Sequence, residues 1–167
     1  MRSHTLVCLL SSLLATGLLL PAASTAADLP TAPYLPLEMA REAADAAMAK
    51  CIADGEKVSV AIVDRSGATQ VLLKGDGAGP HTVGSSTGKA FTSASMGRDT
   101  VGLSTFLKDH RELDGLRSMD PRMVILGGGL PIKIDGALVG GIGVGGAPSG
   151  DIDAACALAG VDALGGE

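Results

Sequence analysis

The stretch GGGLPIKIDGALVGGIGVGGAPSGDIDAACALAGVDAL, residues 127–164, decides the fold of this chain. Two apolar runs, 130–134 and 137–144, are joined by the dipeptide Asp135-Gly136, which is typical of two-residue hairpin turns. After a glycine-rich loop, apolar residues recur at helical spacing over 151–164. The stretch therefore predicts an antiparallel hairpin followed by a closing helix, and its small residues allow close approach of backbones.

The part of the chain before this stretch alternates helix and hairpin in the same way. Residues 57–64 and 69–74 are β-branched and apolar and are separated by a short turn, which predicts a second antiparallel hairpin. A helix is predicted before it over 37–54. The remaining predicted elements are a helix of small residues over 83–96, a short helix capped by Thr100 and ending near Lys108, an irregular segment over 109–121 and a short strand over 122–126. This order predicts an α+β fold, a single compact domain with an antiparallel β-sheet flanked by helices.

The N-terminus has the layout of a secretory signal peptide. Arg2 precedes an apolar run from Leu6 to Leu20, and small residues follow as far as Ala27. The run is shorter than the ~20 residues that span a bilayer. We therefore predict a signal peptide over 1–27, an extended proline-rich lead-in over 28–36, a domain over 37–167 and a periplasmic or secreted location.

The composition excludes some partners and favours another. The chain carries 13 Lys and Arg against 18 Asp and Glu, a net charge of −5, and it has no Trp. An acidic chain without a basic stretch is a poor candidate for binding nucleic acid or anionic membranes. Scarce aromatic residues and the weak helix propensity of 83–96 indicate that an isolated subunit buries little apolar surface, so we predict a homo-oligomer that uses the small face of this helix.

The familiar catalytic and nucleotide motifs give no function. Residues 141–146 match G-x-G-x-x-G, but a dinucleotide fold needs a further strand with an acidic residue after the following helix, and no such strand follows here. Residues 84–88 have the spacing G-x-S-x-G, but they lie inside the predicted helix and not at the strand-to-helix turn of a nucleophile elbow, and H-E-x-x-H is absent from the sequence. We therefore predict no catalytic residues.

An unusual group of polar residues lies among small ones between positions 79 and 100. It includes His81, Lys89, Thr92 and Arg98. Lys89 and Thr92 are three residues apart, so both can face one side of a helix. A flat cofactor such as haem needs small residues for close approach, an axial donor for its iron and cations for its acidic groups. The simpler alternative is a solvated basic edge of a helix.

Two cysteines follow the predicted signal peptide, Cys51 and Cys156. In an oxidising compartment an even pair favours a disulfide. The alternative is two buried free thiols that pack as small hydrophobic residues. The residues alone leave both open.

The sequence as a whole resembles the GlcG/HbpS-like family of haem-binding proteins. The segments that carry the resemblance are VSVAIVDRSGATQVLLKGDGAGPHT over 58–82, GKAFTSAS over 88–95 and the whole stretch over 127–164. The family implies a compact α+β domain that assembles into oligomers, and haem as the cofactor. Exported members are associated with haem binding and with haem or redox sensing, sometimes beside a membrane sensor protein.

The resemblance also implies two candidate ligands for haem iron. The family segment G-P-H-T matches Gly79 to Thr82 and points to His81, whereas K-A-[YF]-T matches Lys89 to Thr92 and points to Thr92. We favour His81, because imidazole is a stronger iron ligand than a threonine hydroxyl. Lys89 and Arg98, the latter from the same or a neighbouring subunit, would then bind the propionates.

Two further expectations depend on the family arrangement. If the first and last helices pack side by side, Cys51 and Cys156 can form a disulfide. The closing helix departs from the family sequence D-E-A-C, because Ala154 stands where the glutamate is usual. This difference puts an acidic iron-binding role of that helix in doubt.

The sequence thus supports three functions in a definite order. The first is an exported haem-binding protein that acts as carrier, buffer or sensor. The second is an enzyme that degrades haem or uses it with peroxide, which would require an open iron position and a nearby acid or base such as His110. The third is a module that binds a small organic acid or a corrinoid without haem.

Overall fold

The computed structural model describes residues 28–165, so the predicted signal peptide lies outside the described residues. None of the helices within that range is long and apolar enough to cross a membrane. The elements are, in chain order, α1 (Leu37–Ala53), β1 (Ser59–Asp64), β2 (Thr69–Lys74), α2 (His81–Met96), α3 (Thr100–Asp109), a 3₁₀ helix (Arg111–Ser118), β3 (Gly129–Ile134), β4 (Ala137–Gly145) and α4 (Gly150–Ala163).

The four strands form one antiparallel sheet in the order β2-β1-β4-β3. Each predicted hairpin supplies an edge strand and a central strand, and the central strands β1 and β4 pair with Ser59 opposite Gly145 and Ile62 opposite Ile142. The predicted α+β fold with an antiparallel sheet is therefore confirmed. The predicted strand over 122–126 is wrong, because this segment pairs with no strand of the described chain.

Alternation along the central strands sends side chains to two different layers. Val60, Ile62, Ile142 and Val144 face α1 and α4, where they form the main core with the buried alanines of α1. Ala61 and Val63 face the opposite side and pack against Ala90 and Ala94 of α2. The sheet therefore lies between a pair of helices and the single helix α2.

Helix α2 lies unusually close to the sheet because β4 presents glycines to it. A Cβ atom at Gly143 would overlap the Ser86 carbonyl oxygen and lie 2.5 Å from the Ala90 nitrogen, and one at Gly141 would lie 2.5 Å from the Ala90 oxygen. Real Cβ atoms do not approach this closely. The glycines of β4 are thus required by the packing of α2 on the sheet, not by a nucleotide.

The small face of α2 is used inside the subunit. Ala90 and Ala94 are fully buried against β1, and Gly88 lies against Val124 with no room for a Cβ atom. This face is not available to a second subunit, so our expectation of its role in assembly is wrong. The homo-oligomer itself stays a prediction.

Segment 122–126 covers α2 and α3. Met123 and Ile125 pack with Phe91, Leu103 and Leu107 in a second apolar cluster. Their burial there, away from the sheet, explains why apolar alternation in this segment does not produce a strand. Residues 111–118, predicted as irregular, form the 3₁₀ helix.

The start of α3 differs from the prediction in its capping residue. Asp99 is the N-cap, and its carboxylate accepts a hydrogen bond from the Gly102 nitrogen at 2.5 Å. Thr100 is the first residue of the helix, and its buried hydroxyl accepts from the Gly129 nitrogen at 2.8 Å. Thr100 therefore attaches α3 to the start of β3.

A disulfide joins the two helices on the core side of the sheet. Cys51 of α1 and Cys156 of α4 are fully buried, and their Cα atoms lie 5.5 Å apart, within the range that a disulfide requires. The close approach follows from small residues, because a Cβ atom at Gly160 of α4 would lie 2.5 Å from the Ala43 oxygen of α1.

We expect Gly143→Ala to lower the free energy of unfolding by about 3 kcal/mol or more, because overpacking a closed contact costs about 1–3 kcal/mol and here the neighbours are backbone atoms. Gly84→Ala is the control, since no atom lies within 4 Å of its Cβ position and alanine is a better helix former than glycine. Urea unfolding measures both variants. Equal stabilities would contradict the close packing of α2 on β4.

Replacing both Cys51 and Cys156 with Ala should remove about 4–5 kcal/mol of stability, because the bond closes a loop with a sequence separation of 105 residues. Without reductant, the intact mass of the purified protein should be lower by two hydrogen atoms than its reduced mass. Two thiols that react with iodoacetamide in denatured, unreduced protein would show that the bond is absent.

Candidate functional site

A cavity of about 310 Å³ lies where α2 and α4 begin. We call it the junction cavity. Three parts of the chain contribute to its walls: the first turns of α2, the segment before β3, and the loop from β4 into α4. The lining residues are His81, Ser85, Lys89, Leu126, Gly127, Gly146, Ala147, Pro148, Ser149, Gly150 and Asp153.

Glycines bring these walls together. A Cβ atom at Gly127 would lie 2.9 Å from the Gly150 Cα, so the two backbones are in direct contact. Gly146 has φ +136°, a conformation that disfavours residues with a side chain, and turns the chain out of β4. The three consecutive glycines at 127–129 therefore mark a close approach of backbones.

A buried ion pair forms the inner end of the junction cavity. The Lys89 ammonium lies 2.8 Å from Asp153 Oδ2 and 2.9 Å from the Val144 carbonyl oxygen, and both charged side chains are only 4% exposed. Asp153 Oδ1 accepts from the Ala147 nitrogen at 3.1 Å. An ammonium has three N–H donors, so one remains for a group in the cavity.

Sequence reasoning missed the partner of Lys89. Asp153 lies in the first turn of α4, where a carboxylate is ordinarily explained by the helix dipole. The signal in the sequence was the pair of acidic residues Asp151 and Asp153, but only the fold shows which one is buried. Asp151 is exposed, whereas Asp153 points inward to Lys89.

His81 lies at the rim of the same cavity. The residue is exposed, and it is the first residue of α2, which begins two residues before the predicted helix over 83–96. Its ring lies against Gly79, where a Cβ atom would be 2.7 Å from Cε1. Within residues 28–165 neither ring nitrogen has a hydrogen-bond partner, so the imidazole is available to a ligand.

Thr82 fixes the position of this first turn. Its hydroxyl lies 2.7 Å from the Gly79 oxygen and 2.7 Å from the Ser59 hydroxyl of β1. The start of α2 is thereby attached to the sheet beside His81. Thr82 thus fixes the backbone that carries the imidazole, and Gly79 leaves room for the ring.

Thr92 does not face the junction cavity. Its fully buried hydroxyl donates to the Gly88 oxygen at 2.7 Å and accepts from the Val124 nitrogen at 2.8 Å. Lys89 and Thr92 therefore have separate partners, although their spacing predicted a shared face. In this conformation the Thr92 hydroxyl attaches segment 122–126 to α2.

Arg98 lies elsewhere, after the end of α2. Its guanidinium is 5.3 Å from the centre of the Phe106 ring, and it lines a separate groove beside β3. The structure thus brings His81 and Lys89 together and leaves Thr92 and Arg98 outside the cavity. A role for Arg98 at a haem held by His81 would need a neighbouring subunit and stays a prediction.

Two carboxyl groups with lowered pKa values, Asp64 and Asp120, lie outside the junction cavity. The Ser66 hydroxyl, helped by backbone N–H groups, lowers the pKa of Asp64 in the turn of the first hairpin. Hydrogen bonds from Arg122 lower the pKa of Asp120 to about 2, and the same guanidinium lies 4.0 Å from the centre of the Phe91 ring. Both carboxylates therefore stabilise local turns.

Comparison with known proteins identifies relatives over most of the chain. Residues 35–162 match the family model described as haem degrading protein HbpS-like. A crystal structure of a double glutamate-to-aspartate variant of Streptomyces reticuli HbpS is 44% identical, covers 85% of this chain and 94% of that chain, and has a TM-score of 0.76. A complex of PduOC with haem is 27% identical over 81% of this chain and 98% of that chain, with a TM-score of 0.75.

A further relative is described as an uncharacterised 15.0 kDa protein of Citrobacter freundii. It is 31% identical over 111 residues, which are 66% of this chain and 78% of that protein. The resemblance that the sequence suggested is confirmed by these matches.

The buried ion pair provides a test of the site architecture. We expect Lys89→Met to destabilise the fold by about 3–5 kcal/mol, because Asp153 is left as a buried charge without its cation. Lys50→Met is the matched control, since Lys50 pairs with Asp54 on the exposed surface of α1, where such pairs contribute less than about 1 kcal/mol.

The double variant Lys89→Met with Asp153→Leu should recover part of the loss, because no unpaired charge remains. Thermal unfolding of the variants measures the effect. If Lys89→Met costs no more than Lys50→Met, the pair is not buried as described.

Proposed function

Because this chain belongs to the family described as haem degrading protein HbpS-like, we propose that it is an exported haem-binding protein that acts as a carrier, a buffer or a sensor of haem or redox state. The observation that carries this proposal is the junction cavity, which has the available imidazole of His81 at its rim and a buried ammonium, Lys89, at its inner end. These are the two kinds of group that an iron porphyrin with acidic substituents requires.

The residues around the cavity fit haem. His81 supplies the axial donor, Lys89 supplies an N–H donor for a carboxylate, and Leu126, Ala147 and Pro148 supply apolar contacts. Haem, when bound, contributes an iron whose ligands set its affinity and redox potential. The contribution of this chain is to fix the backbone that carries the imidazole through Thr82 and to keep the Lys89 ammonium, paired with Asp153, in the same cavity at low solvent exposure.

His81 is favoured over Thr92 by what each side chain already contacts. A bond between iron and the Thr92 hydroxyl would require displacement of segment 122–126 and loss of two buried hydrogen bonds, each of which contributes about 0.5–1.5 kcal/mol. An exposed imidazole without a hydrogen-bond partner needs no such displacement.

Haem degradation is the second candidate function, because the description of the matching family specifies it. Such chemistry needs an acid or base near the iron. His110 is not placed for this role, since its Nδ1 lies 2.9 Å from the Phe106 oxygen and its ring stacks on Phe106, outside the cavity. Of the described carboxylates, Asp153 lines the cavity and is held by Lys89.

Two experiments separate the candidate functions. An absorption spectrum of the protein with haemin distinguishes a haem protein from a module that binds an organic acid or a corrinoid. Loss of the Soret band with turnover in the presence of peroxide distinguishes a haem enzyme from a carrier or sensor.

The same proposal includes secretion to the periplasm or the medium, assembly into a homo-oligomer and contact with a membrane sensor protein. Cell fractionation tests the secretion.

We expect His81→Ala to weaken haemin binding by at least about tenfold and to shift the Soret band, because the iron loses its axial nitrogen. His110→Ala is the matched control, since it removes a histidine that lies outside the cavity. The measurement is an absorption titration with haemin at fixed pH.

Thr92→Ala should lower stability but leave the Soret position of the folded protein unchanged. If His81→Ala binds haemin like the unmodified protein while Thr92→Ala alters both spectrum and affinity, the threonine is the ligand and our assignment is wrong.

A further inference from the structure

An open groove of about 360 Å³ runs along the free edge of β3, away from His81. We call it the edge groove. It is bounded on one side by the end of α2 and on the other by α4. The lining residues are Gly97, Arg98, Asp99, Leu130, Pro131, Lys133, Leu158 and Val161.

The floor of the edge groove is apolar. Leu130 and Pro131 come from β3, and Val161 comes from the buried face of α4. Leu158 is 50% exposed although it is a large aliphatic residue on a helix that packs its other side on the core. The groove therefore offers a strip of apolar surface to a ligand.

Two cations lie on this apolar strip. Within the described residues, neither Arg98 nor Lys133 has a carboxylate at ion-pair distance, and the only aromatic contact of Arg98 is with Phe106. The one acidic residue of the groove, Asp99, is occupied as the N-cap of α3. The groove thus combines apolar surface with two cations that no carboxylate contacts, against the single negative charge of Asp99.

The backbone of β3 is a poor partner for an added peptide strand. Pro131 lacks an N–H group, and the register of β3 shifts between Ile132 and Lys133. Both features are typical of edge strands that avoid pairing with other chains. The occupant is therefore expected to bind through side chains, not through strand hydrogen bonds.

We propose that the edge groove binds an amphipathic monocarboxylate with an alkyl chain. The alkyl chain lies on Leu158, Val161 and Pro131, and the carboxylate lies between Arg98 and Lys133. This site is separate from the junction cavity and does not depend on haem binding.

Titration of the full chain with decanoate, followed by calorimetry, tests the proposal. We expect one decanoate per subunit, with decan-1-ol binding at least about tenfold more weakly because it lacks the charge. Arg98→Gln and Lys133→Gln should each weaken decanoate binding by about tenfold. Arg111→Gln, which changes an exposed arginine of the 3₁₀ helix, should leave the affinity unchanged.

Three results would overturn the proposal. One is absence of decanoate binding to the unmodified protein, and another is equal affinity of Arg98→Gln, Lys133→Gln and the unmodified protein. The third combines two observations: the Leu158→Arg variant forms a smaller oligomer than the unmodified protein, and the unmodified oligomer does not bind decanoate. Together they would show that a second copy of the chain covers the groove. Haemin titration of Lys133→Gln should be unchanged, because Lys133 lines the edge groove and not the junction cavity.

Discussion

The contact between α2 and the glycine face of β4 is the constraint on which the rest of the structure depends. Because Gly141 and Gly143 have no side chains, the helix backbone rests directly on the strand. This closeness lets the Lys89 side chain reach past the end of the sheet to Asp153, although the two residues belong to helices on opposite sides of it. Gly128, with φ +116°, leaves the space, since a Cβ atom there would lie 2.6 Å from the Asp153 Cβ and 3.1 Å from the ammonium.

Much of the fold followed from local patterns in the sequence. Both hairpins have strong turn signals, and the first and last helices have regular apolar spacing, so their predicted bounds differ from the observed ones by one or two residues. Segment 122–126 could not be predicted in this way, because its apolar residues are buried by α2 and α3, which are distant in sequence. The partner of the small face of α2 could not be predicted either. Composition indicates close packing against some partner, but not that the partner is the strands β1 and β4 of the same chain.

The site was less predictable than the fold, for a geometric reason. Residue spacing gives the direction of a side chain around a helix, but not how far it reaches or what covers it. Lys89 and Thr92 share a direction, yet the long lysine extends to α4 while the short threonine ends under Val124. His81 and Lys89 were recognised because cations and imidazoles are unusual among small residues. Asp153 was not recognised, because a carboxylate at the start of a helix is ordinarily explained by its favourable interaction with the helix dipole.

The distribution of buried contacts indicates where the subunit can adjust to a flat ligand. On the core side, the disulfide and the tightly packed alanines of α1 and α4 hold two helices together, and movement there would break many buried contacts. The rim of the junction cavity is different, because Leu126, Gly146, Pro148 and Ser149 are exposed and cover little of the core. Displacement of this rim costs less than displacement of α2, which is attached to β1 by Thr82 and to α4 by Lys89. A ligand at His81 is therefore best accommodated by movement of the loops, with the imidazole and the ammonium remaining in place.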